Sequence, residues 1–184
     1  MPLPSLTSIA AVKAFAGITG AATDTVLEQL VTNASAFIRS YTSRDFTSSS
    51  YEITRSGRDT TSLQLPQYPI TAVERVEVDG YMIPPASSVT QAGYRFDAEQ
   101  LVLTGYRFNR GQLNVRILYT AGYAEVPADI AQACIELVTL KFRMRDKLEI
   151  SSKSLANETI SFTQRDMPAS VKTTLNQAQR IAPL

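Results

Sequence analysis

Residues 112–130 read Gln112-Leu113-Asn114-Val115-Arg116-Ile117-Leu118-Tyr119-Thr120-Ala121-Gly122-Tyr123-Ala124-Glu125-Val126-Pro127-Ala128-Asp129-Ile130. The hydrophobic period changes inside this stretch. Leu113, Val115, Ile117 and Tyr119 alternate with Asn114, Arg116 and Leu118, which predicts a strand with one packed face and one partly wet face. Beyond Pro127 the apolar residues Ile130, Ala133, Cys134, Leu137, Val138 and Phe142 recur three or four apart, with Lys141 laying its stem along them, and predict a helix to about Arg145. Pro127 suits a first turn because its missing N–H needs no partner there, and Asp129 sits near the positive helix end. Arg143, Arg145 and Lys147 bring positive charge to the opposite end.

Upstream of this junction the chain reads as sheet. Tyr51-Glu52-Ile53-Thr54 and Ser62-Leu63-Gln64-Leu65 alternate, Pro66 and Pro69 bracket an extended turn, and Ala72–Val78 runs into Asp79-Gly80, a strong hairpin signal. Tyr94–Phe96 and Gln100–Leu103 follow, with Asn109-Arg110-Gly111 as the turn before the last strand. Two helices precede the sheet. Ile9, Val12 and Ala16 fit a short one capped by Thr7 or Ser8 and ended by Gly17. Val26, Leu27, Leu30, Val31, Ala34, Phe37, Ile38 and Tyr41 form the stripe of a longer one, where Thr25 and Glu28 have capping-box spacing. After the third helix, residues 149–166 turn polar and read as a mobile loop or arm, and Pro168 opens a last helix striped by Val171, Leu175, Ala178 and Ile181. A helix so short must dock on its own subunit or on a neighbour. These four positions are therefore a candidate interface with a neighbouring subunit or partner protein, with packing inside the subunit as the alternative. The expected class is α+β, mainly helical: residues 1–148 form a helical domain with an antiparallel β region inserted at about 50–120, and 149–184 a polar arm and C-terminal helix.

The chemistry of catalysis is sparse. The 184 residues include no histidine and one cysteine, Cys134, inside an apolar helical pattern where an inert buried thiol is the default. No disulfide can form within the chain, and no phosphate loop, dinucleotide fingerprint or nucleophile elbow occurs. Glu74 and Glu77 fall on opposite strand faces, and Asp129 and Glu136 are explained by helix dipole and solvation. No catalytic residue, cofactor or metal is expected. The 18 basic and 17 acidic residues give a net charge of +1, which recommends no nucleic-acid partner by itself. One local exception is Arg107 and Arg110 in a segment, 100–124, without acidic residues: a candidate contact with phosphate or with an acidic partner surface. No apolar run reaches membrane-spanning length, so no membrane partner is expected.

The segment order resembles a known family. Val12-Lys13-Ala14-Phe15-Ala16-Gly17-Ile18 with Asp24–Leu30 and Ala34–Ile38, then Pro69–Val76, then Tyr119-Thr120-Ala121-Gly122-Tyr123 with Val126-Pro127-Ala128-Asp129-Ile130, are similar to the head–tail connector (head-completion adaptor) proteins of tailed bacteriophages. The resemblance implies a helical connector core and a structural, non-enzymatic subunit. It further implies a homo-oligomeric ring, twelvefold in the virion, beneath the portal protein, extending the DNA channel and docking a tail-completion or stopper protein. Nonspecific contact with packaged DNA is possible in such a place. The implied location is the virion neck, after assembly in the bacterial host cytoplasm. The alternative is a small protein-binding module unrelated to phage assembly.

Overall fold

The computed structural model of the chain describes residues 4–144, 152–155, 158–161 and 167–179. They divide into two compact units, one made of the chain up to Arg44 together with the part from Val126 onward, the other of Asp45–Glu125.

The first unit holds helices α1 (Ile9–Ala16), α2 (Asp24–Thr42), α3 (Ala128–Met144) and α4 (Ala169–Gln177). Ser8 accepts from the Ala11 N–H at 3.2 Å, and Gly17 at φ 69° closes α1 in the left-handed conformation that a glycine adopts without strain. Helix α2 starts one residue before Thr25, so Thr25 lies inside the first turn and the expected capping box does not form. An ion pair of 2.7 Å from Lys13 to Asp24 ties α1 to that turn instead. Val12, Leu27, Val31, Ala34, Ile38, Ile130, Ala133, Leu137 and Val138 are buried, and α3 packs against all three other helices. Arg145 and Lys147 lie outside the described residues.

Cys134 is fully buried in this unit, 3.8 Å from the Ser35 hydroxyl, and burial raises its thiol pKa. The thiolate is the reactive form, so Cys134 should stay unmodified by a disulfide reagent at neutral pH and react at the rate of unfolding. Labelling followed by mass spectrometry, with and without denaturant, checks this; rapid labelling of the native protein would contradict it.

The second unit is β. Strands β1 (Ser49–Arg55), β2 (Ser62–Gln64), β3 (Ile70–Val78), β4 (Tyr81–Met82), β5 (Gly93–Phe96), β6 (Gln100–Thr104) and β7 (Val115–Ala121) form two antiparallel sheets, ordered β1-β7-β3-β4 and β2-β6-β5. Val76, Leu101, Leu103, Phe108, Val115, Ile117 and Tyr119 share one core between them. The two runs of strand signals thus belong to a single sheet region. β7 is central, paired with β1 from Ser49 opposite Ala121 to Arg55 opposite Val115, and with β3 through two irregularities in register. Two further strands, β8 (Ser152–Leu155) and β9 (Glu158–Ser161), pair with each other.

Two expectations are corrected. The chain is not mainly helical: four helices stand beside nine strands among the described residues, in a true α+β balance. Long amphipathic helices announce themselves by period, whereas β8 and β9, inside the segment that reads as a polar loop or arm, carry too few residues to weigh in such a reading. The last strand also starts later than its alternation predicts. Leu113 sits at φ 50° and is 69% exposed, so the strand begins at Val115 and only Val115, Ile117 and Tyr119 reach the core.

Candidate functional site at the arginine end of the β unit

Two loops meet at the end of the sheet marked by Arg55, Val115 and Val78. The loop after β1 and the loop between β6 and β7 are stitched by Asp59 N–H to the Phe108 carbonyl at 2.8 Å, Phe108 N–H to the Thr60 carbonyl at 2.8 Å and Gly111 N–H to the Gly57 carbonyl at 3.3 Å. At Gly57 a Cβ would lie 1.9 Å from the Asn109 carbonyl oxygen, so this approach of two backbones requires glycine. Asn114 supports the join from below: its oxygen accepts from the Gly57 N–H at 2.9 Å, and its amide donates to Asp79 at 2.7 Å and to the Asn109 carbonyl at 3.0 Å. Asn109 donates to the other Asp79 oxygen at 2.8 Å.

Asp79 therefore pins the β3–β4 hairpin to the β6–β7 loop, and the Asn114 and Asn109 donors lower its pKa from the ordinary 3.8. A depressed carboxylate contributes stability above its unfolded-state pKa and loses it as pH falls through the folded one. Asp79→Asn, which tolerates the same φ of 55° but carries no charge, should be less stable than the parent at neutral pH, and the gap should close as pH falls through the folded-state pKa of Asp79. Thermal midpoints measured from pH 7 to pH 2 test it; a gap that persists unchanged in acid would refute the assignment.

Arg107 lies on this join, its guanidinium 3.2 Å from the Asp59 carbonyl oxygen and 3.9 Å from the Asp59 carboxylate. The acid-free stretch seen along the chain is thus met in space by Asp59. Arg110 is exposed with no hydrogen bond or ion pair among the described residues, and so is Arg58, which the fold brings beside it. Sequence reasoning passed over Arg58, because the signal lies in the pairing of 57 with 109–111 and not in the neighbours of 58. Alongside runs an open groove of about 930 Å³ whose lining includes Tyr81, Met82, Tyr106 and Arg107. Tyr81 and Met82 are 76% and 61% exposed.

The other candidate residues lie elsewhere. Val171 and Leu175 are 1% and 0% exposed in the helical unit, where α4 packs on α3 and α2. The Ala178 carbonyl accepts from Arg44 at 3.4 Å, and Ile181 lies outside the described residues. Carboxylates weighed for chemistry have structural partners: Glu136 accepts from Gln132 and Ser170, and Glu74 from Thr120. No group of three or more potential metal ligands occurs among the described residues.

A family model described as head completion protein matches residues 5–181. The chain belongs to the head completion protein family. The resemblance to head–tail connectors is thereby borne out, and membership places the chain among structural proteins of the head–tail junction. Solved structures share the fold of this head completion family member over 100% of its length and 98% of theirs. One is from the neck of an empty GTA particle computed with C6 symmetry, at 21% identity and a TM-score of 0.63. Another is from the neck of a native GTA particle computed with C12 symmetry, at 19% and 0.59. A third is from the virion of a native gene transfer agent particle, at 21% and 0.58. No curated protein matches.

Proposed function

We propose that this chain is a non-enzymatic connector subunit of the virion neck. Copies form a closed ring beneath the portal protein, the bore of the ring extends the DNA channel, and the exposed side receives a tail-completion or stopper protein. The observation that carries this reading is the family match over residues 5–181, joined to a fold likeness that leaves almost nothing of the neck chains uncovered. A twelvefold ring is supported by the C12 symmetry of one of those necks, with which C6 is compatible.

Physical features of the chain suit such a role. A closed ring of identical copies needs heterologous contacts, one face meeting a different face on the next copy. Exposed Phe15, Val26 and Phe37 on the helices and Tyr81 and Met82 on the β unit supply distinct apolar surfaces for that purpose. The net charge of +1 opposes association little. Residues 149–184 are the arm of this reading, with Val171 and Leu175 of its helix engaged by their own subunit.

Electron microscopy of the purified protein with and without its portal, combined with mass measurement of the particles, tests the proposal. A ring, free or portal-dependent, is expected. Monomers or dimers in both samples with no portal complex would sink it.

A further inference from the structure

We infer that the arginine end of the β unit, with Arg58, Arg107 and Arg110 on two mutually hydrogen-bonded loops, is a binding surface for the phosphodiester backbone of duplex DNA. The choice of DNA among polyanions rests on the proposed place in the neck; the surface itself rests on how charge is arranged in this unit.

Residues 45–125 contain seven arginines, no lysine and nine acidic residues, so the unit as a whole is not basic. Its charge is instead polarised along the strands. The chain enters at Asp45 and leaves at Glu125, both beside the Ser49–Ala121 end of the sheet. Asp97 and Glu99 share that end, since the Ile70 N–H donates to the Ala98 carbonyl at 2.8 Å and Ile70 pairs with Ala121. Arg55, Arg58, Arg107 and Arg110 gather at the other end, away from both crossings of the chain. The acidic groups at that end are Asp59, near Arg107, Asp79, whose two oxygens are held by Asn109 and Asn114, and Glu77, which stands opposite Arg116 one position in from Val78. The side chains of Arg55, Arg58 and Arg110 are exposed and make no hydrogen bond or ion pair among the described residues.

Guanidinium is the group suited to phosphate oxygens, because its planar fork donates two bonds at once and is weakly hydrated. The loops that carry it are short and cross-linked through Gly57, Asn109 and Asn114, so the three side chains project from a fixed base. Guanidinium contacts to phosphate oxygens carry no sequence information, so the contact is expected to be indifferent to base sequence. Repetition around a ring turns a weak contact per subunit into a useful one.

The full chain, alone and bound to its portal, is titrated with a fluorescently labelled duplex of arbitrary sequence at 50 and 200 mM salt. Three phosphate contacts predict a loss of affinity of about 40-fold per subunit over that range. Arg58→Ser with Arg110→Ser should weaken binding at 50 mM and reduce the salt loss to about 3-fold, with the thermal midpoint unchanged. Arg143→Ser with Lys172→Ser, the same charge change in the helical unit, should bind like the parent. Absence of DNA binding by the parent in both states, equal binding by the Arg58/Arg110 variant, or an equal loss in the control would overturn the inference. So would a variant that loses salt-sensitive portal binding while its DNA affinity is unchanged, since the surface would then meet protein. Imaging of rings on the same samples reports the connector reading separately: rings without DNA affinity defeat only the inference drawn here.

Discussion

Leu175→Asp is expected to destabilise the isolated subunit severely. Helix α4 has nine residues, too few to stand alone in water, and its apolar anchors are Val171 and Leu175. Its polar ties include the Tyr41 hydroxyl to Asn176 at 2.6 Å, Gln179 to the Tyr41 carbonyl at 3.1 Å and Ser170 to Glu136 at 3.2 Å, all near the surface. Truncating a fully buried leucine to alanine costs about 2–5 kcal/mol, and a carboxylate at the same place adds the desolvation of an unpaired charge. The cheaper outcome for the variant is to release α4, exposing the face of α3 that it covers. Urea denaturation should show a lower midpoint for both variants, with the unfolding free energy reduced by about 2–5 kcal/mol for Leu175→Ala and by more for Leu175→Asp. An unchanged midpoint combined with failed assembly would mean that Leu175 faces a neighbour instead.

Gly122→Ala should be nearly as damaging, for a reason that involves no side chain. Gly122 sits at φ 114°, where an added Cβ would lie 2.3 Å from the Thr47 carbonyl oxygen and 2.9 Å from the Ser48 nitrogen. Both are backbone atoms, fixed by the Ser48 N–H bond to the Tyr123 carbonyl at 3.1 Å and by the Gly122 N–H bond to the Pro69 carbonyl at 2.9 Å. The variant must strain its own backbone and push apart the junction where β1, β3 and β7 meet, at a combined cost of about 2–5 kcal/mol. Gly80→Ala is the matched comparison: its φ is 82°, yet nothing lies within 4 Å of the added carbon, so only the conformational cost of about 1–2 kcal/mol remains. Thermal unfolding followed through the near-ultraviolet signal of the packed Tyr51 and Tyr119 rings ranks the two. Equal midpoints would show that the Thr47 contact relaxes freely.

Gly122 also marks how far one-dimensional reading reaches. The Tyr119–Tyr123 segment is part of what makes the family recognisable, but the close approach of Thr47 that demands glycine is a contact across 75 positions of chain. The same boundary runs through the rest of the molecule. Helices α1 to α4, the Asp79-Gly80 hairpin, the cap at Gly17 and the burial of Cys134 were determined by the sequence alone, because each follows from period or from residues within a few positions of one another, whereas the choice of Ser8 over Thr7 as the first cap was not. Tertiary structure decided the balance of helix and strand, the exposure of Leu113, the engagement of Leu175 by its own subunit, and the gathering of Arg58 with Arg107 and Arg110. Those outcomes depend on which strands pair and in what register, and register is set by a core drawn from the whole unit, so no local window of the chain contains it.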